Sequence, residues 1–145
     1  MPYQSSSCYK FVTSPEAGWN QAEQICRDMG GHLATFDTLE EIIWVKGYRI
    51  YNKTLHGGPV YGLMWIGGRK INSLWYWKRE SHDDLINVTD WASEEPNNVD
   101  IHGRPEDCIG LLGKNSEINF TKWFHWNDAP CELTAGYICE KDTNL

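Results

Sequence analysis

Apolar and polar positions along the chain follow two rhythms. Residues 7–12, Ser-Cys-Tyr-Lys-Phe-Val, read as a short strand. Ser14 then precedes Pro15, the signature of an N-cap with proline at the first helical position. Trp19, Ala22, Cys26 and Met29 recur at three- and four-residue steps and mark one face of a helix, which Gly30-Gly31 ends. Thr38-Leu39-Glu40-Glu41 is a capping box, and Leu39, Ile42, Ile43 and Lys46 predict the apolar side of a second helix. Gly57-Gly58-Pro59 is a break beyond that helix. The later half is strand-like: 63–66, stopped by Gly67-Gly68, then 74–77, 108–112, 123–126 and 136–140. Between them, 78–107 has almost no periodicity and is rich in Pro, Asn, Asp, Glu and Gly. A stretch that long without regular structure inside one domain either hides regular structure or carries function. Helices early and antiparallel strands late make the fold class α+β.

Length and charge narrow the function. The 145 residues predict one domain, 1–145. The net charge of −7, from 13 Lys+Arg against 20 Asp+Glu, argues against nucleic acid and leaves carboxylates for cations. No apolar run approaches the roughly 18 residues of a membrane span. The opening Met1-Pro2-Tyr3-Gln4 shows no charged-then-apolar leader, so the chain is expected to be a mature form or part of a longer protein. Eight Trp and the absence of a heptad exclude disordered and coiled-coil classes.

Five cysteines, Cys8, Cys26, Cys108, Cys131 and Cys139, form no C-x-x-C pair, which weakens zinc and thioredoxin-type readings. Glycosylation sequons begin at Asn52, Asn87 and Asn119 and suit an extracellular chain, secreted or the ectodomain of a cell-surface protein. The bland alternative is a cytosolic protein with buried free thiols.

Taken in order, several short motifs resemble the C-type lectin-like domain. They are Cys8-Tyr9-Lys10-Phe11, Trp19-Asn20-Gln21-Ala22 leading to Cys26, Gly31-His32-Leu33-Ala34 and Trp65-Ile66-Gly67-Gly68. Glu95-Pro96-Asn97, Glu106-Asp107-Cys108, Trp126-Asn127-Asp128 and Gly136-Tyr137-Ile138-Cys139-Glu140 complete the series. The resemblance implies a double-looped domain with two helices flanking antiparallel sheets, neighbouring terminal strands and a long calcium-binding loop. It implies bridges Cys26–Cys139 and Cys108–Cys131. Cys8 is left unpaired; in longer relatives its partner lies upstream.

The same resemblance makes Glu95, Asn97, Glu106, Asn127 and Asp128 the ligands of a Ca2+ ion and of a sugar. Calcium takes six to eight oxygens. Five side chains and the Asp128 carbonyl leave about two positions, which two vicinal hydroxyls can fill. Each hydroxyl has two lone pairs and one proton. One lone pair meets the ion, a carboxylate (Glu95 or Glu106) takes the proton, and an amide (Asn97 or Asn127) donates to the other lone pair. The order Glu-Pro-Asn resembles mannose-type sites, selective for equatorial diols of mannose, fucose and N-acetylglucosamine. Galactose-type sites carry Gln-Pro-Asp. A cis bond before Pro96 is also implied. A single such site binds weakly, so an oligomer or larger parent chain is expected to supply avidity.

The chain departs from the family pattern in two places. The interval from Glu95 to Glu106 is long, and the insert around Asp100, Ile101, His102, Gly103, Arg104 and Pro105 is positioned to wall the sugar. The stretch Arg69 to Leu74 carries no carboxylate, so an auxiliary calcium site is expected to be absent or altered, although Asp107 remains. Trp123, Phe124 and His125 could stack on a sugar, but strand alternation favours the core for about half of them. His82-Asp83-Asp84 reads as a solvated loop. An enzyme is not expected: a glycosidase pair of Glu95 and Glu106 would have to escape the calcium, and both residues sit on a loop. The alternative function is a protein- or ice-binding domain on the same fold.

Overall fold

A computed structural model of the chain describes residues 7–56, 62–113 and 124–142. The turn expected at Gly57-Gly58-Pro59, the Asn119 sequon and Trp123 fall outside these residues. Strand β1 (Ser7–Ala17) pairs antiparallel with the last strand, β8 (Ala135–Asp142), placing Cys8 opposite Lys141 and Phe11 opposite Ile138. The first and last strands are therefore neighbours, as the resemblance implied.

Ser14-Pro15 does not begin a helix. The bond is cis and lies inside β1, where the pairing slips between Val12 and Ala17. Helix α1 (Trp19–Asp28) starts later, with Gly18 at its N-cap and no side-chain cap. Tertiary contacts choose that start. Trp19 N–H donates to the Cys131 carbonyl at 2.9 Å, and its indole Nε1 donates to the Ile66 carbonyl at 2.8 Å. These bonds anchor a fully buried indole where a local cap signal would have placed the boundary earlier. Trp19, Ala22 and Cys26 are buried as the periodicity predicts, whereas Met29 forms the exposed C-cap.

The second helix, α2 (Leu39–His56), has the expected capping box, with Glu41 N–H donating to Thr38 Oγ1 at 3.2 Å. Its buried stripe matches the expected one at Ile42 and Lys46 and departs from it at Leu39 and Ile43. Ile42, Val45 and Lys46 face inward, while Leu39 and Ile43 are exposed. The buried face is centred roughly a quarter of a turn from the Leu39/Ile43 axis. On that face the Lys46 ammonium lies against the Asp90 carboxylate, so the buried cation is paired.

The remaining strands are β2 (His32–Leu33), β3 (Gly62–Ile71), β4 (Leu74–Lys78), β5 (Asp83–Leu85), β6 (Cys108–Gly113) and β7 (Phe124–Ala129). The main path runs β1-β8-β3-β4-β5; β2 joins β8, and β6 lies between β3 and β7. Two expectations are corrected here. The sheet is mixed rather than purely antiparallel, because β8 inserts beside β3 in parallel, Met64 opposite Gly136. A parallel pair needs a long crossover, and the long loop, β4 to β7 and the Cys131 segment all lie between these two strands. Secondly, Gly67-Gly68 does not stop β3, which continues to Ile71. A Cβ at Gly67 would sit 2.9 Å from the Leu33 carbonyl oxygen, and one at Gly68 would sit 2.3 Å from Ile109 Cδ1. The glycines admit close neighbours rather than a turn.

Both implied bridges form: Cys26–Cys139 ties α1 to β8, and Cys108–Cys131 ties β6 to the segment after β7. They span 113 and 23 residues, for which the chain-entropy model gives roughly 5 and 3–4 kcal/mol. Cys8 is free and exposed. One core cluster gathers Trp19, Leu33, Trp65 and both bridges; a second gathers Phe36, Ile42, Met64, Trp77, Ile109 and Trp126. The second lies beneath the long loop.

Candidate functional site

The polar loop after β5 is held by aromatic packing and by backbone bonds to β7. Trp126 is fully buried, its ring 5.2 Å from Trp77 and 5.8 Å from Trp91, and Trp91 is 5.1 Å from Trp75. Trp126 N–H donates to the Asp90 carbonyl at 2.9 Å, and Ala92 N–H donates to the Trp126 carbonyl at 2.8 Å. These contacts place 90–92 beside β7 just before Asn127 and Asp128. Pairing within β6 and β7 sets Ile109 opposite Asp128, with the Cys108–Cys131 bridge adjacent.

Asp128 is the centre of the site. It is fully buried, yet its carboxylate accepts from Asn97 N–H at 3.1 Å and from Asn98 N–H at 2.7 Å. Two backbone donors fix a buried anion and pull the Glu95-Pro96-Asn97 turn onto β7. The Glu95-Pro96 bond is cis, as the resemblance implied, and Glu94 and Asn98 bracket the turn with φ of 69° and 71°. Non-glycine residues in this region are uncommon and cluster at functional sites. Glu95 Oε2 accepts from Asn97 N–H at 3.2 Å. Asn127 Nδ2 donates to the Asp128 carbonyl at 3.0 Å, so those two expected ligands touch each other. Asn97 lies at the rim, exposed.

Three acids crowd this centre. Burial, a hydrogen bond with Asp128 and the charges of Asp128 and Glu106 push the Glu95 carboxyl up to about 7. Burial and the charges of Asp128 and Asp100 push Glu106 up to about 7 as well, with Lys70 and Arg104 opposing. Glu106 is only 6% exposed, and its Oε1 is buried without a hydrogen-bond partner. Buried acceptors are ordinarily paired, so this orphan oxygen among like charges has the donor chemistry of a hard-cation site. Among the described residues, no three His, Cys, Asp or Glu side chains form a ready metal cluster; the grouping needs the Asn oxygens and the Asp128 carbonyl. The Asn97 N–H reaches the Asp128 carboxylate, the Asn127 amide reaches the Asp128 carbonyl, and Glu95 and Glu106 lie within electrostatic reach of Asp128; their oxygens are of the kind a hard cation takes.

Around the site lie contacts that the sequence did not show. Lys70 Nζ donates to Asn98 Oδ1 at 3.0 Å and lies 3.3 Å from Asp107 Oδ1. A cation of the protein's own thus bridges the stretch where acidic residues were sought, and it engages Asp107. Asn98 ties Lys70 to Asp128; its place next to Glu-Pro-Asn was the only available hint. Lys46 and His125 converge on Asp90, with His125 Nδ1 at 3.4 Å. The acids of His82-Asp83-Asp84 pair with Lys78 at 3.0 Å and Arg79 at 2.6 Å, on the outer strand.

Known proteins resemble this chain throughout. The family model "Lectin C-type domain" matches residues 16–141. The human C-type lectin domain family 4 member C is 32% identical over 93% of this chain and 54% of its own length. The carbohydrate-recognition domain of human scavenger receptor C-type lectin superposes with a TM-score of 0.72 at 27% identity, covering 97% of this chain and 94% of that one. A calcium-independent type II antifreeze protein superposes with a TM-score of 0.64 at 25% identity, covering 97% and 89%. The chain spans 40 to 55% of the length of the first curated relatives it matches. The matched family is one of carbohydrate-binding proteins rather than enzymes, so the non-enzymatic expectation stands. By this match, by its mixed sheet with two helices and by its paired bridges, the chain belongs to the C-type lectin domain family.

Proposed function

We propose that the domain binds glycans by calcium held among Glu95, Asn97, Glu106, Asn127 and Asp128, and that it selects equatorial vicinal diols of mannose, fucose or N-acetylglucosamine type. The observation that carries this reading is the crowding of Glu95 and Glu106 on Asp128, with Glu106 Oε1 buried and unpartnered. A cation held there would relieve the mutual repulsion that raises Glu95 and Glu106. When bound, calcium supplies a positive centre that accepts sugar hydroxyl oxygens. The chain supplies the pattern around it, carboxylates of Glu95 and Glu106 as acceptors and amides of Asn97 and Asn127 as donors. The two disulfides fit an extracellular setting, secreted or as an ectodomain. A multivalent parent would supply avidity. Among the described residues no helix is long and apolar enough to cross a membrane.

The test is mannose binding by the intact chain with calcium, after chelation and after calcium is restored. Binding should vanish in chelator and return. Mannose affinity unchanged in chelator would sink the reading. The likeness to a calcium-independent antifreeze protein favours one second reading, an ice- or protein-binding surface on the same fold. Under that reading simple sugars fail to compete with the natural partner and chelation leaves binding intact.

A further inference from the structure

The β3–β4 hairpin has two faces with different neighbours. Lys70 stands opposite Trp75, and both meet the long loop: Lys70 reaches Asn98, and Trp75 packs on Trp91. Arg69 stands opposite Tyr76 on the other face. There its guanidinium lies 5.1 Å from the centre of the Trp19 ring, and its Nη1 donates to Asn20 Oδ1 at 2.6 Å. Trp19 and Asn20 open α1, so Arg69 borders a cleft of about 410 Å³ between that helix and the hairpin, on the face turned away from the long loop. Three cations line the cleft, and two of them are neutralised. Arg27 Nε donates to Glu23 Oε1 at 2.8 Å, and its Nη groups donate to the carbonyls of Arg79 and Glu80. Lys78 Nζ lies 3.0 Å from both carboxylate oxygens of Asp83. Glu23 is the one acid among the lining residues, and it belongs to Arg27. Among the described residues Arg69 meets no carboxylate. A guanidinium carries five N–H donors, and Asn20 takes one of them. The Asn20 amide accepts through its oxygen, which leaves its NH2 as a further donor at the exposed rim. In a chain of net charge −7, this uncompensated cation with donors to spare is a local inversion of sign.

We infer that the cleft between α1 and the β3–β4 hairpin binds a sulfate ester of an acidic polysaccharide through Arg69 and Asn20. The planar fork of Arg69 meets two oxygens of a tetrahedral oxyanion, and the Asn20 amide meets the third. A carboxylate offers only the two oxygens that the fork takes. A sulfate ester carries one negative charge, which matches the one uncompensated cation. A phosphate monoester carries nearly two at neutral pH and would leave charge in excess beside Glu23. The cleft has room for the sugar that bears the sulfate. Its lining includes no residue of the proposed calcium site, so neither site needs the other.

Binding of the intact chain to immobilised dextran sulfate, to carboxymethyl dextran of matched charge and to plain dextran is measured in chelator, at about 0.15 M salt to screen long-range attraction. Chelation silences the proposed sugar site. The wild type should bind dextran sulfate, carboxymethyl dextran at least about fivefold more weakly, and plain dextran not at all. Arg69→Gln should weaken dextran sulfate binding at least about tenfold. Asn20→Asp should do the same, because it sets a carboxylate against Arg69; an acid in the first turn of a helix is favourable, so this variant stays folded. Lys10→Gln, at an exposed lysine of β1 outside the cleft, makes the same change in net charge and should shift affinity by less than about twofold. No binding of dextran sulfate by the wild type overturns the inference. So does an equal loss in all three variants, which would mark bulk charge alone. Carboxymethyl dextran bound as tightly as dextran sulfate overturns the assignment of the ester. These measurements contain no free calcium, so their failure leaves the proposed sugar site standing, and loss of mannose binding leaves this cleft standing.

Discussion

Glu106→Gln should stabilise the calcium-free domain at neutral pH while destroying its sugar binding. In the folded chain the Glu106 carboxyl is pushed from 4.5 to about 7 by burial and by Asp128 and Asp100. The native state therefore holds a proton, between those two values, that the unfolded chain has released. Stability from this group is complete below about pH 4.5 and is lost as pH rises through about 7. At 1.36 kcal/mol per unit the full interval is roughly 3 kcal/mol, of which roughly 2 falls between pH 5.5 and 7.5. With Glu106 6% exposed, solvent screens little of it. For a chain of this size that is roughly 4–8 °C in Tm. Thermal melts with chelator should show the wild type melting higher at pH 5.5 than at 7.5. The Gln variant should melt higher than wild type at pH 7.5 and show a flatter profile, because the neutral amide fits the same space without the charge. Added calcium should reverse the picture for wild type only, raising Tm at pH 7.5 by binding the native state, by about 2.7 kcal/mol at one hundred times Kd. A wild type that melts no higher at pH 5.5, together with a Gln variant that is less stable at pH 7.5, would refute the reasoning.

Sugar binding at limiting calcium should fall from pH 7.5 toward pH 5, since protons compete with the ion at Glu95 and Glu106; an inhibition series across that range checks it, and a flat profile removes both acids as ligands. Glu95→Gln with Asn97→Asp exchanges acceptor and donor, so mannose should weaken at least about tenfold while galactose gains or stays level, as read by competition. Lys70→Met removes the tether of Asn98 and leaves Asp107 uncompensated, and calcium titration should show about fivefold weaker binding with the fold intact. Gly31→Ala would set a Cβ 2.1 Å from the Glu140 carbonyl oxygen, and chemical denaturation should report a loss of about 3 kcal/mol.

Residue type and spacing determined much of this protein on their own. The helix face of Trp19, Ala22 and Cys26 was legible because burial at helical period needs only one periodic stripe. The Thr38 capping box was legible because its bonds are local. Glu95, Asn97, Glu106, Asn127 and Asp128 were singled out by the resemblance of their motifs to the family, and as ion ligands they remain a proposal. Other features needed the assembled fold. Ser14-Pro15 carries a helix-start signal that pairing with β8 overrides, and Gly67-Gly68 carries a turn signal that contact with Leu33 and Ile109 overrides. The pairing of Lys46 with Asp90, far apart in the chain, is likewise visible only in the assembled fold. The parallel seam between β3 and β8 depends on which strand reaches the gap, a fact of topology. Local bonds read from neighbours in sequence; a buried charge, a tight backbone approach and the pinning of Asn97 and Asn98 on Asp128 are set by residues far apart in the chain, and only packing decides which of them meet.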